Sequence, residues 1–474
     1  MKALNTSTVN KPILPVKVLQ FGEGNFLRAF VDWMFQKANK KGILHHGIVV
    51  VQPIEQGITE LLNKQDCLYH VYLEGIKDKQ PYKEVTLIKS INKAFNPYTE
   101  YVEYEKVFLS DDLEIIISNT TEAGIRYEEG DDLNALPPKS YPAKMTVLLY
   151  QRWKKFNGDP SKGLMIICCE LIDDNGSTLK KYILQHAEYH KLDKEFVNWL
   201  NTACHFYDSI VDRIVPGFPK DTINEIKEEI GFDDNLVVKG EYFHFWAIAG
   251  DAVIKEKLPF DKMGLNVQYL DDIHLPKMKK VRILNGSHTA MVSVALQLGC
   301  DTVKEAFAHP LVEKYINSMV SGEVLPMIPD DMAELKRYSY SILERFYNPF
   351  IKHQLRDISL NSISKWETRN YPTIKDNYKN GKKAPLATFS LAALLVLYAS
   401  KHNIDFTPKD TVEYVEFIKN TFDEKNIDQW VEGILAHPMW VEPLNQLDGF
   451  TEVVTTDVKL ILEKGMEAAL RNVI

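Results

Sequence analysis

Apolar residues fall in short unbroken runs through the first part of the chain. VKVLQFG (Val16–Gly22), GIVVVQP (Gly47–Pro53), LEIIISNTT (Leu113–Thr121) and GLMIICCELI (Gly163–Ile172) are rich in β-branched side chains. Runs of this length predict strands buried on both faces. The stretch NFLRAFVDWMFQKANKKG after the first run is amphipathic and predicts a helix. Strands alternating with helices predict a parallel α/β sheet. YHVYLEG and YKEVTLIKSI alternate with a period near two and predict an added hairpin.

After about Leu275 the pattern becomes helical. MKKVRILNGSHTAMVSVALQLG, TVKEAFAHPLVEKYINSMVSG and DDMAELKRYSYSILERFYNPF carry apolar residues at helical spacing, and continuous β-branched runs largely disappear. The change places a boundary near His274–Pro276. It divides the chain into an α/β domain over 1–275 and a mainly α-helical domain over 276–474. The most apolar run, Pro385–Ser400, is shorter than the roughly 20 residues that a membrane-spanning helix needs. It predicts a buried core helix.

Composition sharpens this picture. A length of 474 residues is long for a single core and favours two domains. The net charge of -9 argues against a nucleic-acid binder, which usually carries a basic face. It leaves room for an anionic substrate, because a few converging cations set the local field. The five cysteines are odd in number and include no CxxC pair, which fits a reducing cytoplasm better than a disulfide framework. The N-terminal MKALNTSTVNKPILP lacks the apolar run of a signal peptide.

The first predicted strand runs directly into Gly22-Glu23-Gly24-Asn25-Phe26. Glycines between a strand and a helix let the backbone turn tightly and approach a pyrophosphate, while the helix start offers unpaired N–H groups. Gly22, Gly24, Asn25 and Phe26 are therefore candidate dinucleotide contacts, although Leu27 stands where a third glycine is usual. The second strand ends at Gln52, which can bind a ribose hydroxyl but does not repel a 2′-phosphate; NAD is favoured only weakly. Thr120, Thr121 and Glu122 follow another strand and are candidate cofactor or substrate contacts. The same residues also suit a helix N-cap with an acid in its first turn.

Lys280, Asn285 and His288 lie on one predicted helix. On a regular helix Asn285 and His288 are about 60° apart and Lys280 and His288 about 80° apart. Lys280 and Asn285 are about 140° apart, so they converge only around a ligand or at a distorted helix start. Gly286 costs helix stability here. A desolvated lysine can exchange the proton of an alcohol, and an asparagine can donate to a developing oxyanion. His288 can hold a substrate hydroxyl. Read alone, the segment also fits a surface lysine, a polar cap and a core histidine.

Lys280-x4-Asn285-x2-His288 resembles the catalytic motif of the mannitol dehydrogenase family, the polyol-specific long-chain dehydrogenases. Gly22-Glu23-Gly24-Asn25-Phe26-Leu27-Arg28-Ala29 resembles its cofactor loop. Val211-Asp212-Arg213-Ile214-Val215-Pro216 and Asn348-Pro349 followed by His353 resemble two further segments. The resemblance implies a Rossmann-type domain followed by an all-α domain, an NAD cofactor and no catalytic metal. It implies Lys280 as general acid–base group, with Asn285 and His288 beside it. Three stretches, Asn119–Ile125, Cys168–Gly176 and Leu360–Trp366, resemble a branch that acts on sugar acids in hexuronate catabolism. The implied reaction is the NADH-dependent reduction of D-tagaturonate to D-altronate. Fructuronate and mannitol-type reduction, and a non-catalytic sugar-acid-binding role, are the alternatives.

Departures from the mannitol-specific pattern bear on the substrate. Leu171 stands where those enzymes carry an oxyanion-donating asparagine, with Asn175 nearby. Lys277 replaces an acid, and a substrate-binding arginine aligns near Asp357, beside Arg356. A uronate carboxylate needs a cationic partner. Lys365 is the first candidate, followed by Arg369 and then Arg356. Glu241, near His244, falls in a segment where it can orient substrate or cap a strand end.

Overall fold

Both faces of the central sheet are covered, which explains why its strands read as unbroken apolar runs. The computed structural model describes residues 1–474 except 78–79, 121–123, 351 and 402–403. The chain divides into two compact units, Met1–Ile273 and His274–Ile474.

Six parallel strands build the main sheet of the first unit: β1 (Val16–Phe21), β2 (Gly47–Val51), β3 (Ile91–Phe95), β4 (Ile115–Ser118), β5 (Met165–Cys168) and β6 (His205–Tyr207). Their order is β3-β2-β1-β4-β5-β6. The order reverses between β1 and β4, and open α/β sheets bind ligands outside the carboxyl ends at such a reversal. Val18, Ile48, Val50, Ile115 and Ile117 face one core layer, with Phe30, Trp33 and Met34. Leu19, Phe21, Val49, Val51 and Ile116 face the other, with Tyr104, Met145 and Leu148. The expected hairpin is present. Tyr69–Lys77 pairs antiparallel with Gln80–Ile88, and Val238–Glu241 joins it as a parallel third strand.

The helix predicted after β1 is two helices, α1 (Asn25–Ala29) and α2 (Val31–Lys40), broken at Phe30 with φ -123° and ψ -76°. The cause lies far along the chain. The buried Arg213 guanidinium donates to the Ala29 carbonyl, which a continuous helix would use internally. Arg213 also donates to the carbonyls of Tyr242 and Phe243 and lies 4.3 Å over the Trp33 ring.

The second unit is mainly helical. Helix α3 (His274–Lys279) continues into a π-helical turn over Lys280–Asn285 and then into α4 (Gly286–Gln297). Helix α5 (Met332–Phe346) and a second π turn, Val320–Val324, pack against the first π turn. Helix α6 (Ser362–Arg369) packs on α4. The apolar run forms α7 (Pro385–Tyr398), buried from Leu386 to Tyr398. Its N-terminus has no acid of its own. Glu323, from the second π turn, instead accepts the Leu386 and Ala387 N–H groups, each at 2.8 Å. Gln297 ties α4 to α7 by donating to the Ala393 carbonyl at 3.0 Å. Among the described residues, no helix is long and apolar enough to cross a membrane.

Candidate active site

The two glycines of the loop after β1 differ in what surrounds them. Gly22 has φ +124°, and a Cβ there would come within 2.8 Å of the Asn119 carbonyl oxygen. Its hydrogen is therefore required by the close passage of the loops after β1 and β4. Gly24 has an ordinary φ of -65° and no heavy atom within 4 Å of an added Cβ. Neither backbone conformation nor protein packing calls for glycine at 24. The open space sits at the start of α1, where the N-cap residue Gly24 has no side chain to cap the backbone N–H groups. This cradle fits the pyrophosphate of a dinucleotide. Asn25 is exposed, and its Oδ1 accepts from Arg28 at 2.8 Å. Phe26 stacks on Phe30 at 5.0 Å.

Gln52 is buried and held within its own turn. Its Nε2 donates to the carbonyls of Ile54 and Glu55, and its Oε1 accepts from Thr59. It organises the loop after β2 and presents no open amide. Gly57 belongs to the same arrangement and was not legible from spacing. An added Cβ would approach Glu23 Oε1 to 2.5 Å and Gln52 Oε1 to 2.6 Å. Burial pushes the Glu23 carboxyl above the usual range, although the Ile58 N–H donates to it.

Thr120 gives both its N–H and its hydroxyl to Glu170 Oε1, each at 2.9 Å. Ser118 donates to the other oxygen at 3.1 Å. Glu170 thus fixes the strand end that carries Thr120, and burial raises its carboxyl against these donors. Thr121 and Glu122 lie outside the described residues. Glu241 is buried and accepts the Ile214 N–H at 2.6 Å. Asn175 is buried, and its amide bridges the backbone of Glu170 and Ser209, so it is a structural tie and not an oxyanion donor. Leu171 is 57% exposed.

In the second unit, the π turn changes the geometry expected of the catalytic segment. The Gly286 N–H donates to the Val281 carbonyl, a bond spanning five residues. Residues five apart are then about one turn apart. Lys280 and Asn285 therefore share a face, in contrast to the 140° separation of a regular helix. His288 follows Asn285 by three residues and continues that face into α4. Lys280 is 7% exposed. Its cationic neighbours are committed elsewhere: Lys279 pairs with Asp330 at 2.6 Å, and Arg282 with Asp376 at 2.7 Å.

His288 is buried, with its ring 4.5 Å from Phe346 and 5.2 Å from His353. Burial, followed by the charges of His353, Arg345, Arg369 and Lys365, holds its imidazole well below the ordinary range and therefore neutral. Lys365 donates to the Ile358 carbonyl at 3.0 Å, and Arg369 to Thr289 Oγ1 at 3.3 Å. Both sequence-expected cations thus lie in the electrostatic surroundings of His288. Arg356 does not join them; it is exposed and donates to the Asp405 carbonyl. Arg345 takes that place. It was missed because the helical pattern of α5 gives no sign of which polar residue turns inward. The set comprises a buried ammonium, a carboxamide, a neutral imidazole and three further cations. It can exchange a proton at a carbonyl oxygen and hold an anionic substrate.

Comparison with known proteins agrees with this architecture. Residues 16–262 match the Mannitol dehydrogenase Rossmann domain, and residues 272–462 the Mannitol dehydrogenase C-terminal domain. The chain is 41% identical to an altronate oxidoreductase of Phocaeicola vulgatus, over all of both chains. It is 40% identical to an altronate oxidoreductase of Bacillus subtilis, over 97% of this chain and 95% of that one. The fold resembles substrate-free D-sorbitol dehydrogenase, with a TM-score of 0.82, 20% identity, and 99% of this chain and 100% of that chain covered. It also resembles Pseudomonas fluorescens mannitol 2-dehydrogenase in its ternary complex with NAD and D-mannitol. There the TM-score is 0.76 and the identity 22%, with 100% of this chain and 99% of that chain covered. With both domains matched in order along nearly the whole chain, this protein belongs to the mannitol dehydrogenase family.

Proposed function

We propose that the chain interconverts D-tagaturonate and D-altronate with NADH, using Lys280 as the acid–base group. The full-length relatives at about 40% identity are named altronate oxidoreductases. The observation that carries the reading in this chain is the cluster of Arg345, Lys365 and Arg369 around a neutral His288. A carboxylate needs a cationic partner, which a neutral polyol does not, and this cluster supplies several.

NADH supplies the hydride when bound. Gly22 and Gly24 admit its pyrophosphate to the loop backbone. The Lys280 ammonium protonates the oxygen of the carbonyl as it becomes an alcohol, and takes the proton back in the oxidative direction. Asn285 donates a hydrogen bond to the same oxygen while charge builds there. His288 holds a substrate hydroxyl, and Lys365 and Arg369 bind the carboxylate. Residues 1–275 carry the cofactor contacts and residues 276–474 the proton-transfer groups.

The test is a panel of initial rates of NADH oxidation with tagaturonate, fructuronate and fructose, repeated with NADPH. Tagaturonate with NADH is expected to give the highest kcat/KM. A higher value with fructose overturns the substrate assignment, and a preference for NADPH overturns the cofactor assignment. Absence of turnover with every pair favours a binding protein on the same scaffold.

A further inference from the structure

The residue that follows α5 and meets His288 has no role in the proton-transfer scheme, and its surroundings give it one. His353 lies on the segment after Asn348-Pro349, and its backbone is pinned from its own carbonyl onward. Its carbonyl accepts the Val303 N–H at 3.0 Å, and the Leu355 N–H donates to the Asp301 carbonyl at 2.9 Å. The ring meets His288 nearly edge to face, at 5.2 Å and 81°. This placement is set by the tertiary fold and not by a loose surface loop.

His353 Nδ1 and His288 Nε2 are both buried without a hydrogen-bond partner among the described residues. Leaving one buried polar atom unsatisfied costs about 1–3 kcal/mol. Here two such atoms sit on neighbouring rings, in a cluster that the fold has ringed with cations. Burial holds the His353 imidazole below its ordinary range; Asp357 opposes this, and Arg345 and Lys365 add to it. A neutral imidazole offers one donor and one acceptor, as a hydroxyl does. A carboxylate is better matched by the guanidinium and ammonium groups of the same cluster.

We propose that His353 is a substrate-binding residue, holding through Nδ1 a hydroxyl of the open-chain sugar acid next to the one held by His288. This rests on the sugar-acid reading given above. His353 touches no reacting atom; it selects the hydroxylated chain and sets its register relative to Lys280.

Two variants separate binding from packing. His353→Phe keeps an aromatic ring against His288 but removes Nδ1. His353→Asn keeps a polar atom near the Nδ1 position. His353→Phe is expected to raise KM for tagaturonate roughly tenfold or more, the cost of one unmet hydrogen bond. KM for NADH and Tm should stay near wild type, and His353→Asn should recover most of the loss. Unchanged KM in His353→Phe overturns the proposal. So does an equal loss in both variants together with a lowered Tm, which marks a packing role. Failure of the wild type to reduce tagaturonate sinks the functional reading by itself. In that event the same variants are compared on the ketose that the wild type does reduce.

Discussion

A Cβ on Gly22 would lie 2.8 Å from the carbonyl oxygen of Asn119, where the loops after β1 and β4 pass at the reversal of strand order. Real Cβ atoms essentially never come so close to a backbone oxygen. Gly24, two residues on, faces open space. The fold requires glycine at 22, while no protein contact requires it at 24.

Gly22→Ala and Gly24→Ala should therefore separate stability from cofactor binding. Gly22→Ala combines the clash with a φ of +124° and is expected to cost about 2 kcal/mol or more, lowering Tm. Gly24→Ala adopts an allowed conformation and should leave Tm unchanged. It should weaken NADH binding by roughly tenfold, about 1.4 kcal/mol. Thermal melts and fluorescence titration with NADH check both. Normal NADH affinity in Gly24→Ala would show that the pyrophosphate does not sit against residue 24.

Lys280→Ala should lower kcat by roughly 100- to 10,000-fold, the usual contribution of a positioned acid–base group. NADH affinity should stay within about twofold, because the proton transfer proposed for Lys280 is separate from the glycine loop. Chelators should leave turnover intact, since an ammonium performs the proton transfer. Inhibition by chelator that zinc reverses would point to a different dehydrogenase chemistry.

Asp457 gives a pH prediction. Its carboxyl is buried, one oxygen has no partner among the described residues, and burial alone raises it from 3.8 to about 7. The folded state therefore holds a proton that the unfolded chain releases at lower pH. The stability this group contributes is full below about pH 4 and is lost as pH rises through about 7. Glu323, raised from 4.5 to about 7 by burial against its two N–H donors, has the same sign. Asp457→Asn should flatten the decline between pH 4 and 7 and stabilise the chain near pH 8 by on the order of 2 kcal/mol. Urea unfolding across that range measures it; an unchanged slope would show that Asp457 does not titrate there.

Arg213 ties together three backbone carbonyls, at Ala29, Tyr242 and Phe243. Arg213→Met should cost about 3 kcal/mol or more, because the buried Ala29 carbonyl and the two part-buried ones lose their donor. Arg213→Lys should rescue little, since one ammonium cannot reproduce the spread of a guanidinium. Urea midpoints of the two variants decide this, and near-equality of Arg213→Lys with wild type would contradict it.

Features that depend on local period and turn chemistry can be read along the chain without coordinates. The parallel strands, the added hairpin at Tyr69–Ile88, the glycine loop between the first strand and its helix, and the buried helix at Pro385–Tyr398 were all legible in this way. Lys280, Asn285 and His288 stood out as an unusual polar trio on one helix, but the pattern alone fitted a surface lysine, a polar cap and a core histidine equally, and their proposed role came from the family resemblance. Only the tertiary structure decided how those three are phased. A π turn is set by packing against the second π turn and α5, and no residue spacing announces it. The same holds for the break at Phe30, made by an arginine remote in sequence. It holds too for Gln52, whose amide is consumed by its own turn, and for Arg345 and His353 in the cluster that Arg356 does not reach. Periodicity records which side of a helix is apolar. Which polar groups meet is decided by long-range packing, and that is where this site takes its shape.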